Sequence, residues 1–365
     1  MISDFITQIK NLYKFYKIPI DEKKVVFFSE GKNYFNVFIS YIKNMNRYKK
    51  IIYITSDIND PIYDCKFVNV EIIYCKNIFL LIILMNNITC KNLLMTMPDL
   101  NIYEIKKSKN VENYIYLFHS LVSINMVYNH NAFDNYDKIL CITQNQYDEL
   151  KQNKETKNLK YNLYKSNYPK LSILKKQITK LKKKKLVTIA PSWGVDNIFE
   201  NKDFDVLLKE LLNNKFKIIL RPHSNVSRKT YSFLEDLRKK YNKDDIIIEN
   251  NNANFFNTFE SNYLITDWSG IALEYFMITK NPVLFVDTKK KIRNKNFSEK
   301  MDKIPLEVSI RTKIGVIVNP LDFCNINNYI EKLSDINFKK EVEEIENKTL
   351  FLRNLNETNF TQILE

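Results

Sequence analysis

The chain has 365 residues, 45% of them hydrophobic and 13% aromatic, which excludes a disordered protein and exceeds the ~250–300 residues at which a single core stops growing. Two domains are therefore expected. The net charge of +14 favours anionic partners, although abundant Lys, Asn and Ile beside only four glycines also fit an AT-rich coding sequence and a solvated lysine surface.

The elements alternate from the start, as short apolar runs separated by longer amphipathic stretches. The opening MISDFITQIKNLYKFYKIPI has no apolar core after its basic residues, so no signal peptide is read there. Strands are predicted at 24–28 (KVVFF), 50–55, 70–74, 92–95, 114–118 and 138–142, with a helix over 33–42. The run IFLLIILM at 78–85 is too short to span a bilayer, which takes ~20 residues, and reads as a buried strand or helix segment. After Tyr168-Pro169 comes a lysine-rich stretch ending in Lys182 to Lys185, the best linker candidate. Its lysines suit either anionic lipid or the solvated face of an amphipathic helix. The strand pattern restarts at 186–190 and continues at 216–220, 245–248, 263–266, 282–286 and 316–318. Helices are predicted over 204–213, over 231–241 and from 271. The tail from 338 has helical spacing and is expected to pack on the body.

Cysteine and histidine are sparse. Five cysteines form no Cys-x-x-Cys pair and three histidines are scattered, so neither a metal site nor a cofactor is implied, and reduced thiols fit a cytosolic protein.

Three strand ends carry side chains suited to chemistry. At 264–270 an apolar strand runs into Thr266, Asp267, Trp268, Ser269 and Gly270 and then a helix containing Glu274. Phosphates bind well at such a helix start, and Glu274 suits ribose hydroxyls; helix capping by Asp267 or Ser269 is the alternative. At 219–223 a strand ends in Arg221, Pro222 and His223, where a guanidinium and an imidazole suit a pyrophosphate. The alternative there is an arginine paired with a neighbouring acid. At 116–120 a strand delivers His119, a residue type able to act as general base without large tuning. His130, in the polar stretch NHNAFDNYD, reads as surface.

These residues fall in a recurring order. HSLVSINMVYNHNAFDNYDKILC, NYPKL, TIAPSWG, LRPH and TDWSGIALEYF, together with TMPDL, resemble the CDP-glycerol glycerophosphotransferase family of teichoic-acid and capsule synthesis from about Thr96 to Thr288. The resemblance implies a GT-B-like α/β fold of two Rossmann-like doubly wound domains facing across a cleft. It implies that His119 deprotonates the acceptor hydroxyl, and that Arg221, His223, Thr266, Asp267 and Ser269 bind the donor's phosphates. It also places Pro191, Ser192 and Trp193 along the cleft. Two positions depart from the pattern: Ser120 stands where the family usually has Gly, and Gly270 where it often has a second Ser.

The expected organisation is an acceptor domain over 1–165, a basic linker over 166–185, a nucleotide-donor domain over 186–335 and a helical tail over 336–365. The expected reaction is transfer of a polyol phosphate, glycerol phosphate first, from a CDP-activated donor to a glycan or lipid-linked acceptor with release of CMP. It would take place in the cytoplasm or on the inner face of the plasma membrane, against an anionic surface. The rivals are a GT-B glycosyltransferase or nucleotide-sugar epimerase, and a basic nucleic-acid-binding protein. No nucleic-acid recognition module is readable, and nucleic acid is not expected as a partner.

Overall fold

The computed structural model describes residues 2–45, 49–178, 185–223, 227–249, 257–298, 304–334, 339–351 and 360–365. Lys182 to Lys184 lie outside them, so the basic stretch is represented only by Lys185, whose ammonium lies 6.0 Å from the Phe216 ring centroid.

Two all-parallel sheets organise the chain. The first contains β1 (Val25–Ser29), β2 (Ile51–Thr55), β3 (Val70–Tyr74), β4 (Cys90–Met95), β5 (Val111–Leu117), β6 (Lys138–Cys141) and β7 (Asn162–Lys165), in the order β3-β2-β1-β4-β5-β6-β7. The second contains β8 (Leu186–Ile189), β9 (Lys217–Leu220), β10 (Ile246–Ile248), β11 (Tyr263–Thr266), β12 (Val283–Val286) and β13 (Gly315–Val318), in the order β10-β9-β8-β11-β12-β13. Central strands such as β1, β2 and β8 are buried at every residue, because helices cover both faces of a parallel sheet. This is why they are legible as unbroken apolar runs.

Both sheets reverse direction beside their first strand, between β1 and β4 and between β8 and β11. In open α/β sheets the crevice at such a reversal is where ligands bind. Glu30 follows β1, Met97–Asp99 lie just beyond β4, Ala190–Trp193 follow β8, and Asp267–Gly270 follow β11.

The run at 78–85 forms the helix Ile78–Asn86. Leu81, Leu84 and Met85 are buried, but Ile78, Phe79 and Ile83 are exposed, so the reading of a buried segment holds for one face only. A helix also covers Ile2–Lys17, in the stretch where the sequence offered no element. Within the lysine-rich stretch lies the helix Pro169–Gln177. The tail contributes two helices, Lys339–Thr349 and Phe360–Leu364. The second returns to the first sheet, where Ile363 and Leu364 join its apolar core. There the Asn92 amide donates to the Leu364 carbonyl at 3.0 Å and the Lys138 ammonium to the Ile363 carbonyl at 2.8 Å. Among the described residues no helix is long and apolar enough to cross a membrane.

Candidate active site

One cleft of about 990 Å³ lies between the two sheets and is lined from both. From the second sheet come Pro191, Ser192, Trp193, Arg221, His223, Ser269, Gly270 and Glu274; His119 comes from the first. Nine of the eleven residues singled out in the sequence thus share one cavity.

The other two, Thr266 and Asp267, do not line it. The Thr266 hydroxyl donates to the Ala190 carbonyl at 2.6 Å. Asp267 Oδ1 accepts from the backbone N–H groups of Ser192 at 2.7 Å and Trp268 at 2.6 Å. Both side chains are buried, and burial raises the Asp267 carboxyl above its usual range. They fasten the loop after β8 to the end of β11, which fixes Pro191–Trp193 in the wall. The N-cap of the helix Ile271–Thr279 is Gly270, which has no side chain to offer, and the Ile271 N–H donates to the Ser269 hydroxyl at 3.5 Å. The capping alternative is thus not realised by Asp267 and is met by Ser269 only through this long contact, and Ser269, Gly270 and Ile271 line the cleft at that helix start.

Arg221 is held by the Glu249 carboxylate at 3.3 Å and the Thr258 hydroxyl at 3.2 Å. The paired-arginine alternative is thus observed, yet the same guanidinium borders the cleft. Beside it, burial and the Arg221 charge push the His223 imidazole down to about 4. His119 has the same tendency, to about 4, through burial, then Lys170, then His223. The two histidines, 104 positions apart, come from different sheets and are close enough to couple electrostatically. Both imidazoles are neutral at pH 7 and can accept a proton.

His119 is oriented by its neighbours. The Tyr34 ring meets it edge-on at 5.2 Å between centroids. The Tyr168 hydroxyl lies between the His119 carbonyl, at 2.9 Å, and Glu274 Oε1, at 2.5 Å. Lys170 donates to both oxygens of Glu274 at 2.9 and 2.8 Å. Tyr168 and Lys170, from the NYPKL motif, thereby tie the helix Ile271–Thr279 to the strand end carrying His119. Glu274, expected to meet ribose, is engaged in this link. The His119 Nδ1 atom is buried with no hydrogen-bond partner among the described residues.

Sequence reasoning missed Glu30, Tyr34, Asp99, Tyr128, Lys291 and Arg293, all of which line the cleft. Glu30 and Asp99 follow the two strands at the reversal of the first sheet, a signal that needs the strand order to be read. Arg293 reaches across the halves to Asp99 at 3.3 Å, and its backbone N–H donates to the Met126 carbonyl at 3.0 Å. Asn294 adds a bond to the Asn125 carbonyl at 2.7 Å, and Lys291 donates to the Val195 carbonyl. The loop following β12 therefore straps the second half to the first.

The two departures noted in the sequence touch each other. A Cβ added at Gly270 would lie 2.5 Å from Ser120 Oγ and 2.9 Å from Val122 Cγ1. The loop after His119 approaches the start of the helix Ile271–Thr279 closely because position 270 carries no side chain. Nearby, both Glu307 oxygens accept from the Ser123 N–H, at 2.9 and 3.0 Å, closing the same interface.

Comparison with known proteins now bears on this cleft. Residues 160–309 match the family described as CDP-Glycerol:Poly(glycerophosphate) glycerophosphotransferase. The matched segment contains Arg221, His223, Ser269 and Glu274, and supports the family suggested by the motifs; His119 precedes it. No curated protein sequence matches the chain. Among solved structures, a putative UDP-N-acetylglucosamine 2-epimerase from Listeria monocytogenes is similar at 11% identity with a TM-score of 0.55, over 88% of this chain and 91% of that one. The S. aureus MnaA-UDP co-structure is similar at 11% identity with a TM-score of 0.53, over 90% and 91%. These likenesses show the fold, GT-B-like α/β, and the match over residues 160–309 supports a transferase.

Proposed function

We propose that the chain moves a polyol phosphate, glycerol phosphate first, from a CDP-activated donor to a hydroxyl of a glycan or lipid-linked acceptor in cell-surface polymer synthesis. The observation that carries this reading is the convergence of Arg221, His223 and Ser269 from one sheet and His119 from the other on a single cleft. The guanidinium, the imidazole of His223 and the helix start at Ser269–Ile271 provide donors for a diphosphate. The acceptor enters on the side of Glu30, Tyr34 and Asp99. Its oxygen attacks the donor's β-phosphorus, the bond from that phosphorus to the bridging oxygen breaks, and the bridging oxygen leaves with CMP. The acceptor proton passes to the neutral His119. Little covalent work falls to the protein in such a transfer, which depends on positioning and on stabilising charge. The reaction takes place on the cytoplasmic side, at the inner face of the plasma membrane when the acceptor is lipid-linked.

Thermal unfolding with candidate donors tests the nucleotide. A donor at ~100 times its Kd stabilises the fold by about 2.7 kcal/mol. CDP-glycerol is expected to shift unfolding, and UDP-sugars to shift it much less. Stabilisation by a UDP-sugar alone would contradict the CDP-donor reading.

A further inference from the structure

One carboxylate and one hydroxyl in the cleft are left without a partner by the fold and without a role by the proposed transfer. Glu30 stands just past β1, where the first sheet reverses direction. The turn that carries it is closely fixed. The Gly31 N–H donates to the Ser29 hydroxyl at 3.3 Å, the Lys32 N–H to Asp57 Oδ2 at 3.4 Å and the Tyr34 N–H to the Gly31 carbonyl at 3.0 Å. Gly31 has φ +147°, a conformation that a side chain would strain. Ser29 is buried, with its hydroxyl 3.4 Å from Asp60 Oδ2, and Glu30, next on the chain, faces the opposite way, is exposed and lines the cleft. Among the described residues its carboxylate accepts no hydrogen bond and joins no ion pair, although Lys32 lines the same cleft. Asp99, the other acid at this reversal, is by contrast taken up by Asn129, at 3.0 Å to each oxygen, and by Arg293. No cation holds the Glu30 carboxyl down. Although its surface is open to the cleft, the protein walls around it displace water and push it up to about 7. Tyr34, half-buried, also lines the cleft, and its hydroxyl makes no hydrogen bond among the described residues. Burial, then the Glu30 charge, then Tyr128 raise that hydroxyl above its usual range, so it stays protonated. Its ring meets His119 edge-on, so Glu30 and His119 are both neighbours of Tyr34.

We infer that Glu30 and Tyr34 form the acceptor-selecting subsite, which binds a second hydroxyl of the acceptor unit whose first hydroxyl gives its proton to His119. A carboxylate only accepts hydrogen bonds, and a phenol has one to donate. A hydroxyl meets both, because it gives its proton to Glu30 and takes the proton of Tyr34. An ammonium would satisfy Glu30 alone. A phosphate would take the Tyr34 proton but set its charge against an acid that no cation compensates. The acceptor end is therefore an uncharged polyhydroxyl unit, a sugar or polyol, with a free hydroxyl beside the one that attacks. Any phosphate in the acceptor lies beyond this subsite. The inference rests on the proposed transfer for the side on which the acceptor enters and for the role of His119.

Saturation-transfer NMR of methyl β-D-glucopyranoside, glycerol and glycerol 3-phosphate with the CDP-bound protein tests the subsite without turnover. The wild type is expected to bind at least one of the two uncharged probes, and to bind glycerol 3-phosphate more weakly than glycerol. Glu30→Ala and Tyr34→Phe should each weaken binding of the uncharged probe roughly tenfold, with unchanged melting temperature and unchanged Kd for CDP. Tyr34→Phe keeps the ring against His119, so a loss there belongs to the hydroxyl. In CMP release from CDP-glycerol the same loss should appear as a higher KM for that acceptor. Binding of neither uncharged probe by the wild type, equal binding by the wild type and either variant, or a preference for glycerol 3-phosphate over glycerol overturns the subsite. If the probes bind with the expected losses but the wild type releases no CMP with an acceptor that it binds, the transfer reading fails and the subsite stands.

Discussion

Replacing Gly270 by Ala puts a methyl group where the two halves meet. The new Cβ falls 2.5 Å from Ser120 Oγ and 2.9 Å from Val122 Cγ1, both inside contact distance. Forcing a methyl group into such a space costs about 1–3 kcal/mol. The φ of Gly270 is −61°, so the cost is steric and owes nothing to backbone strain. The molecule relieves it either by unfolding more readily or by parting the strap and the Glu307–Ser123 contact. Ser120→Gly removes the nearer obstacle and leaves Val122. The double variant should therefore recover about half of the loss, with a coupling of at least ~0.5 kcal/mol in a double-mutant cycle. Urea unfolding measures stability, and small-angle scattering measures opening of the halves. If Gly270→Ala changes neither quantity, or if the two substitutions are simply additive, the halves do not close on each other at this point.

Further outcomes follow from the cleft. Ser269→Ala and Arg221→Lys should weaken CDP-glycerol binding by about 1.5–3 kcal/mol in calorimetry, while His119→Asn lowers turnover at nearly unchanged affinity. Lysine is chosen at 221 because alanine would leave buried Glu249 without its cation. Donor binding near pH 5 should take up protons, since a diphosphate raises two imidazoles that the free protein holds near 4; equal heats in buffers of different ionisation enthalpy would show that the diphosphate lies elsewhere. Burial, reinforced by the Glu149 charge, pushes the Glu307 carboxyl up to about 8. The folded state then keeps a proton that the unfolded chain loses above about 4.5, so this group's contribution falls as pH rises toward 8. Glu307→Gln should flatten that alkaline decline in melting temperature, and an identical pH profile in wild type and variant would refute it.

Much of this organisation was legible in the sequence for a physical reason. Strands buried on both faces appear as apolar runs, and the abrupt polar residues at their ends, Phe118-His119 and Leu220-Arg221, mark where such a sheet opens to a ligand. β7 was not legible, because it lies at the sheet edge with Asn162 and Lys165 exposed and carries no apolar signal. The roles of Thr266 and Asp267 beneath the β8 loop depend on partners some 75 positions away, Ala190 and Ser192, which spacing cannot reveal. The same holds for Arg293 with Asp99, and for Gly270, whose lack of a side chain serves Ser120 as directly as it would serve a phosphate. Periodicity also could not tell that the run at 78–85 is buried on only one face.

The most direct test of the proposed chemistry is identification of the products formed from CDP-glycerol and a hydroxyl-bearing glycan or lipid-linked acceptor by phosphorus NMR and nucleotide chromatography. Free CMP should appear in step with a new phosphodiester on the acceptor, and both should disappear in His119→Asn. Release of an intact nucleoside diphosphate from a nucleotide sugar, with a glycoside formed and CDP-glycerol left unconsumed, would contradict the proposal.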